Sequence, residues 1–223
     1  MKTLEVYSEF KSKVFNLDST AGGGVGQRQF VRMFNEQIDK FVQNTQAKED
    51  NNYRIENLDV LLELNTPLTV KMVAQEYVSF NKPKDFFLRD SMLAEAERDG
   101  ARTYLYVEVP KPKQFEFVFM NDFHKPSYDF EHTLARLDKH SVWVYRGPDF
   151  TITGLKFTYY RLPAHINLEG YEEADGRPSV TTDTDLPDHL VYKILDMTVL
   201  EYFLRANNVN AAKLAAERIQ MNQ

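Results

Sequence analysis

Residues 185–206, DLPDHLVYKILDMTVLEYFLRA, constrain the fold more than any other stretch. Leu190, Val191, Ile194, Leu195 and Met197 recur at three- and four-residue spacing, the period of a helix. Val199, Leu200, Tyr202, Phe203 and Leu204 then make that helix apolar nearly all round. A helix of this kind must be covered from several sides. Asp183, Thr184 and Asp185 offer side-chain oxygens to the free N–H groups of its start, and Pro187 fits a first turn, where a missing N–H costs nothing. Asn207 and Asn208 break the helix, and residues 209–221 read as a second, shorter one with Ala212, Leu214, Ala215 and Ile219.

A second amphipathic helix is expected over residues 27–46, with Phe30, Phe34, Ile38 and Phe41 on one face and Arg28, Arg32, Gln37, Asp39, Lys40 and Gln43 on the other, solvated one. Ahead of it, residues 1–26 read as a flexible N-terminal arm, ending in the glycine-rich DSTAGGGVG. Residues 27–223 form a single domain on this reading. Between the helices the pattern turns to strands, over about residues 70–162. Residues 58–64 suit helix or strand, and 70–80 look strand-like. In 91–109, SMLAEAER has a helical composition, but Asp99-Gly100 is a hairpin signal and RTYLYVEV alternates, which favours a hairpin. QFEFVFM at 114–120 alternates as a strand, with Phe115, Phe117 and Phe119 on one face. Residues 137–145 and 150–162 are expected to pair as a hairpin around RGPD, with Val142 and Val144 opposing Trp143 and Tyr145 across the pleat. An acidic loop at 169–185 leads into the C-terminal helices at 186–221. Terminal helices around antiparallel strands make an α+β fold.

The chain has 223 residues, enough for one domain with a real core, and 16 Phe and 12 Tyr against one Trp. Aromatic surface on this scale suits a sheet-rich core or a large buried interface. A net charge of −6 argues against a protein that grips nucleic-acid phosphates. With no cysteine, disulfides, thiolate metal sites and a cysteine nucleophile are excluded. Residues 1–13 have no apolar run of a signal peptide, and no run approaches the roughly 18 apolar residues that would span a membrane.

Motifs for chemistry are weak. The 22–26 glycines stand before a helix, as in phosphate-binding loops, but lack a preceding strand and the Lys-Ser/Thr pair, so they read as a hinge. Asp183-Thr184-Asp185 matches an aspartyl-nucleophile spacing, yet lies in polar sequence and suits helix capping better. His124, His132, His140, His165 and His189 show no metal-ligand spacing, although His132 and His140 could approach each other in space. Glu172, Glu173, Asp175, Asp183 and Asp185 could gather a hard cation but have no ordered spacing. Residues 113–119 echo the aromatic strand of RNA-binding sheets, with Gln114 and Glu116 where small residues belong. The Lys-Pro-Lys turns at 82–84 and 111–113 read as solvated. No catalytic residue, metal or cofactor is expected.

Lys125-Pro126-Ser127-Tyr128, the strand, RGPD turn and strand that follow, TYYRLP at 158–163, LPDHLVYKILDMTVLEYFL after an acidic linker, and QRQFVRMFNEQIDKF upstream form an ordered series. That series resembles the neck, or head-to-tail connector, proteins of tailed bacterial viruses, and in particular the ring proteins of crAss-like phages of gut Bacteroidetes. The resemblance spans residues 27–207. It implies a structural virion protein without catalysis, in a ring of about a dozen copies between portal and tail, through which double-stranded DNA passes without sequence-specific binding. Its partners would be copies of itself, the portal and other neck or tail proteins. Phe123, His124, Lys125, Pro126 and Tyr128 are the expected partner-contact residues, with residues 1–26 and 209–223 as further contact segments. The alternatives from the residues alone are a single-stranded nucleic-acid-binding module on the aromatic sheet and a hydrolase with a metal in the acidic loop.

Overall fold

The structure, a computed structural model, describes residues 1–19, 24–49, 59–111, 113–121, 124–173 and 176–221. It is a mixed α+β fold, as the alternation of helical and strand patterns requires. The chain divides into two compact units, residues 1–60 with 163–223 and residues 61–162. The sequence, in contrast, suggested an arm followed by one domain over 27–223.

The first unit is helical: α1 (Thr3–Leu17), α2 (Gln27–Glu49), α4 (Asp188–Arg205) and α5 (Val209–Met221). Leu190, Val191, Ile194, Leu195, Thr198, Val199 and Phe203 of α4 are buried. They are covered by α1, α2 and α5, the several-sided cover that an all-round apolar helix demands. Over its helical residues, the stretch expected to be a flexible arm is instead a packed element. Val6, Phe10 and Val14 of α1 are fully buried, and the Phe10 ring lies 5.0 Å from Phe30 of α2 and 6.0 Å from Tyr202 of α4. The spacing 3, 6, 7, 10, 14 is itself helical, so the apolar face of residues 4–15 had a partner to find. Gly22 and Gly23 of the expected hinge lie outside the described residues.

The start of α4 differs from the capping expected. Pro187 is the N-cap, and no side chain caps the helix. Asp183 and Asp185 stand too far upstream to reach its first N–H groups and take other donors. Asp185 accepts from Ala164 N–H at 3.0 Å. Asp183 accepts from the backbone N–H of Thr3 at 2.7 Å, so it caps α1, whose first residue Thr3 is. That bond holds the Asp183 carboxyl below the usual carboxylate range. A carboxylate with a lowered folded pKa adds stability above its unfolded pKa, and the contribution is lost as pH falls through the folded value. Asp183→Asn should therefore melt lower than wild type at pH 7, and the gap should begin to narrow below about pH 4 and shrink further as the pH falls. Melting curves across pH 2.5–7 check this.

At its other end α4 closes in a Schellman motif. Asn207 has φ 55°, its N–H donates to Leu204 O at 3.2 Å, and Asn208 N–H donates to Phe203 O at 3.0 Å. Asn208 Oδ1 then accepts Ala211 N–H at 3.1 Å and starts α5. Asn tolerates the left-handed conformation; a β-branched residue does not. Asn207→Val should cost about 1–2 kcal/mol, whereas Asn207→Gly should hold or raise the melting temperature. Denaturant titration of both variants separates the two outcomes.

The second unit is an eight-stranded sheet in the order β1-β8-β4-β5-β6-β7-β3-β2. The strands are β1 (Leu62–Pro67), β2 (Val70–Val73), β3 (Tyr77–Asn81), β4 (Phe86–Arg98), β5 (Ala101–Glu108), β6 (His132–Leu137), β7 (Ser141–Tyr145) and β8 (Thr151–Arg161). All neighbours are antiparallel except β5 and β6. The sheet curls around one core built from Val78, Phe80, Met92, Ala94, Leu105, Val107, Val142, Val144, Leu155 and Phe157. Its two edge strands are consecutive in the chain. β1 pairs with β8, and after Leu68-Thr69 the chain pairs with β3 as β2. Leu68 N–H still donates to Leu155 O, while Thr69 O already accepts Asn81 N–H, each at 2.9 Å. One bent stretch thus passes from one rim of the curl to the other, as corner strands do.

The β4–β5 hairpin is as expected, with Asp99 at φ 52° and Gly100 at φ 81°, the pair of positive angles that a type I′ turn requires. Residues 70–80 are two strands rather than one, turning where Ala74 N–H donates to Tyr77 O. Residues 58–64 resolve, from Asp59 on, into one 3-10 turn and the start of β1.

Two further expectations fail. Residues 114–120 are not a strand: Phe115–Met120 form a short helix, α3. Both edges of β5 are taken by β4 and β6, so the segment after it has no ladder to join there, and it closes its own bond from Val118 N–H to Gln114 O. The aromatic strand of the nucleic-acid reading is absent at that place. Residues 137–145 also do not pair with 150–162. β7 lies between β6 and β3, and β8 lies between β1 and β4. The polar Asp138–His140 stretch makes the tight turn, with Asp138 N–H on Ser141 O at 2.8 Å, and 146–149 carries the chain away. Within β7 the pleat is as read, Val142 and Val144 buried and Trp143 and Tyr145 partly exposed.

Candidate contact surface

The expected contact residues fall on the loop between α3 and β6. Phe123 lies outside the described residues. Lys125 is exposed, and His124, Pro126 and Tyr128 are half-buried. The loop is pinned to β6 by reciprocal backbone bonds, Ser127 N–H to His132 O at 2.8 Å and His132 N–H to Ser127 O at 3.1 Å.

Tyr128 faces inward rather than outward. Its hydroxyl donates to Ala101 O at 2.9 Å, its ring is 6.1 Å from Phe150, and the Arg98 guanidinium lies 4.2 Å from its centre. Arg98 also bonds Asp129 at 2.5 Å and Asp149 at 3.0 Å, which ties the loop to the β4–β5 hairpin and to the turn before β8. That guanidinium holds the Asp129 carboxyl below the usual range. Tyr128 therefore positions the loop and offers little of itself to a partner.

What the loop does expose is Phe130, at 86%. Its N–H rests on Ser127 Oγ at 3.3 Å. Glu131, at φ 49°, follows and gives its carbonyl to Tyr106 N–H at 2.7 Å. Beside it the outer face of β4 and β5 carries Leu93 opposite Tyr106, and Glu95 opposite Tyr104. Tyr106 is 61% exposed, Tyr104 48% and Leu93 37%. Tyr104 is held upright by Lys156, whose ammonium donates to its hydroxyl at 2.6 Å, and by its own bond to Glu95 at 3.3 Å. The Tyr104 hydroxyl raises the Lys156 pKa. The charged pair beside Tyr104, Lys156 with Glu95, is thus already matched at 3.4 Å. Sequence reasoning passed over Tyr104, Tyr106 and Phe130. The signal for the first two was present, since Leu105 and Val107 pointing inward put them outward.

Other singled-out groups are dispersed. His132 neighbours His124, with ring centres 6.5 Å apart; His140 sits in the β6–β7 turn. In the acidic stretch, Glu173 accepts from Asn167 at 2.7 Å, and Asp183 and Asp185 serve backbone N–H groups as above; Asp175 lies outside the described residues. Among the described residues no three His, Asp or Glu side chains are disposed to hold a metal ion. Gly26 leads into α2 beside an open cleft of about 720 Å³ lined by Arg28, Gln29, Val31, Arg32, Tyr171 and Glu173. No helix among the described residues is long and apolar enough to cross a membrane. No protein-family model matches the chain, and no curated protein matches it.

Proposed function

We propose that the chain is a structural subunit of a viral neck, a ring between portal and tail through which double-stranded DNA passes. The reading rests on the ordered series of segments that resembles connector proteins. It is supported by one observation above the rest, the exposed Tyr106, Tyr104 and Leu93 on one face of β4–β5 and the exposed Phe130 of the loop bonded to β5 on the sheet unit. Aromatic side chains in the open, rimmed by polar groups that are already satisfied, are what a surface buried in an assembly presents before assembly. The subunit acts by shape: the curled sheet sets the loop rigidly, and the loop and outer strands meet a neighbouring copy or a portal or tail protein. The net charge of −6 suits a channel that DNA passes without adhering.

Tyr106→Ser combined with Phe130→Ser tests the reading. The double variant should melt within about 1 kcal/mol of wild type, because both side chains are exposed. In phage carrying it, filled heads should accumulate without tails, and the protein should be missing from purified particles. Wild-type protein absent from purified virions by mass spectrometry, or normal particles from the double variant, would overturn the proposal.

A further inference from the structure

β2 ends the sheet: it pairs with β3 on one side and with no described strand on the other. Val70 stands opposite Phe80, and Val73 opposite Val78. Facing residues of an antiparallel pair share a side of the sheet, so these valines lie on the side of the core that Phe80 and Val78 build. Phe80 and Val78 are buried, whereas Val70 is 45% exposed and Val73 67%. The core side of the sheet thus runs on past its cover at this edge. On the other side lies Lys71, the extra residue where the register slips between Val70 and Met72. Its ammonium donates to Ser141 Oγ at 2.9 Å, and Ser141 points away from the core because its neighbour Val142 points into it. Three more lysines gather at this corner. Lys82 follows β3, and its N–H donates to His140 O at 3.1 Å, which sets Lys139 of the β6–β7 turn beside it. Lys84 is exposed two residues on. Elsewhere in the sheet unit Arg98, Arg136, Lys156 and Arg161 have carboxylate partners. Among the described residues, no carboxylate lies within ion-pair distance of Lys71, Lys82, Lys84 or Lys139.

We propose that the free edge of β2 is a docking site for an extended partner segment in which acidic residues alternate with apolar ones. Added as a further strand, such a segment gives its backbone N–H and C=O groups to the edge. Its apolar residues continue the core side past Val70 and Val73, and its carboxylates turn to the side of Lys71 and the lysine corner. Alternation is what the two sides ask for, one apolar and one cationic. The β2 strand of a second copy does not fit, since it would set lysine beside lysine. Nucleic acid would match the lysines but leave Val70, Val73 and the strand edge uncovered. The site draws on none of the residues that carry the neck reading, so the two stand or fall apart.

NMR titration of the isotope-labelled full chain with a capped peptide of alternating valine and glutamate, about eight residues long, tests the site. Binding should shift the amides of Val70, Lys71, Met72 and Val73 and slow their exchange. A peptide of alternating proline and glutamate has the same charge but lacks half the N–H donors, and should bind at least about tenfold more weakly. A peptide of alternating valine and lysine should not compete. Lys71→Gln combined with Lys139→Gln should weaken the valine–glutamate peptide about two- to tenfold, the size of two exposed ion pairs. Equal affinity for the valine–glutamate and proline–glutamate peptides, shifts confined to other strands, no shift at millimolar peptide, or tighter binding of an oligothymidylate would each overturn the proposal. The peptide comparison is made on wild-type protein, so it decides the matter even if the double variant does not fold.

Discussion

Phe157→Ala is expected to destabilise the sheet unit by about 3–5 kcal/mol, the range for removing a large buried aromatic. Phe157 lies in β8, fully buried, with its ring stacked 5.5 Å from Phe86 and 5.3 Å from Tyr159. β8 is bonded to β1 on one side and β4 on the other, so no loop at this position can slide inward to fill the space. The cavity term therefore adds to the transfer term in full. Trp143 reports the result, being the only tryptophan and placed in the same unit, 4.8 Å from Tyr77 in a stacked pair. Its thermal transition should fall by on the order of 10–20 °C. Phe157→Leu, which keeps most of the volume, should lose less than half as much. A fall of under about 3 °C in the alanine variant would mean that the site is not close-packed.

What could be read from the chain before its structure follows from the range over which each signal acts. The helices were legible because their signal is local. Periods of three and four residues over 27–46 and 186–221 name the element and much of its buried face, though Gln37, read as solvated, is buried, and Leu204 and Leu214 are exposed. The β4–β5 hairpin was legible for the same reason, since Asp99-Gly100 carries the turn in two residues. Failures came where the decision is made by distant partners. QFEFVFM has a strand's alternation, but whether it can be one depends on a free sheet edge, and β6, more than ten residues onward, has taken it. The pairing of β8 with β1 and β4 instead of β7 is likewise a property of the whole sheet. Asp183 was read as a cap, correctly in chemistry and wrongly in address: the N–H it takes belongs to Thr3, 180 residues away. The loop expected to meet a partner carries an exposed aromatic, Phe130, but the sequence reading singled out the half-buried Tyr128 instead. An i-to-i+2 choice of that kind turns on which ring a guanidinium covers, and Arg98 is 30 residues upstream.

Ile194→Asp should be the most damaging single change in the helical unit, at about 4–5 kcal/mol or more at pH 7. Ile194 is fully buried on α4 and its surroundings are apolar, with Leu190, Val191, Leu195 and Thr198 buried beside it. The buried Thr198 hydroxyl is occupied, because its Oγ1 donates to Ile194 O at 2.8 Å. A carboxylate placed there must either stay charged in an apolar site or take up a proton. Protonation is the cheaper course, so the new group would have a folded pKa raised well above the unfolded value near 3.9. A raised folded pKa means that the variant is least penalised below about pH 4 and that the penalty grows as pH rises through the folded value. The helical signal at 222 nm is the measure, because α1, α2, α4 and α5 all belong to this unit. Lys193→Asp, one residue away and exposed, should cost no more than about 0.5–1 kcal/mol at any pH in this range. Equal losses in the two variants, or a loss from Ile194→Asp that does not change with pH, would show that α4 is not covered on that side.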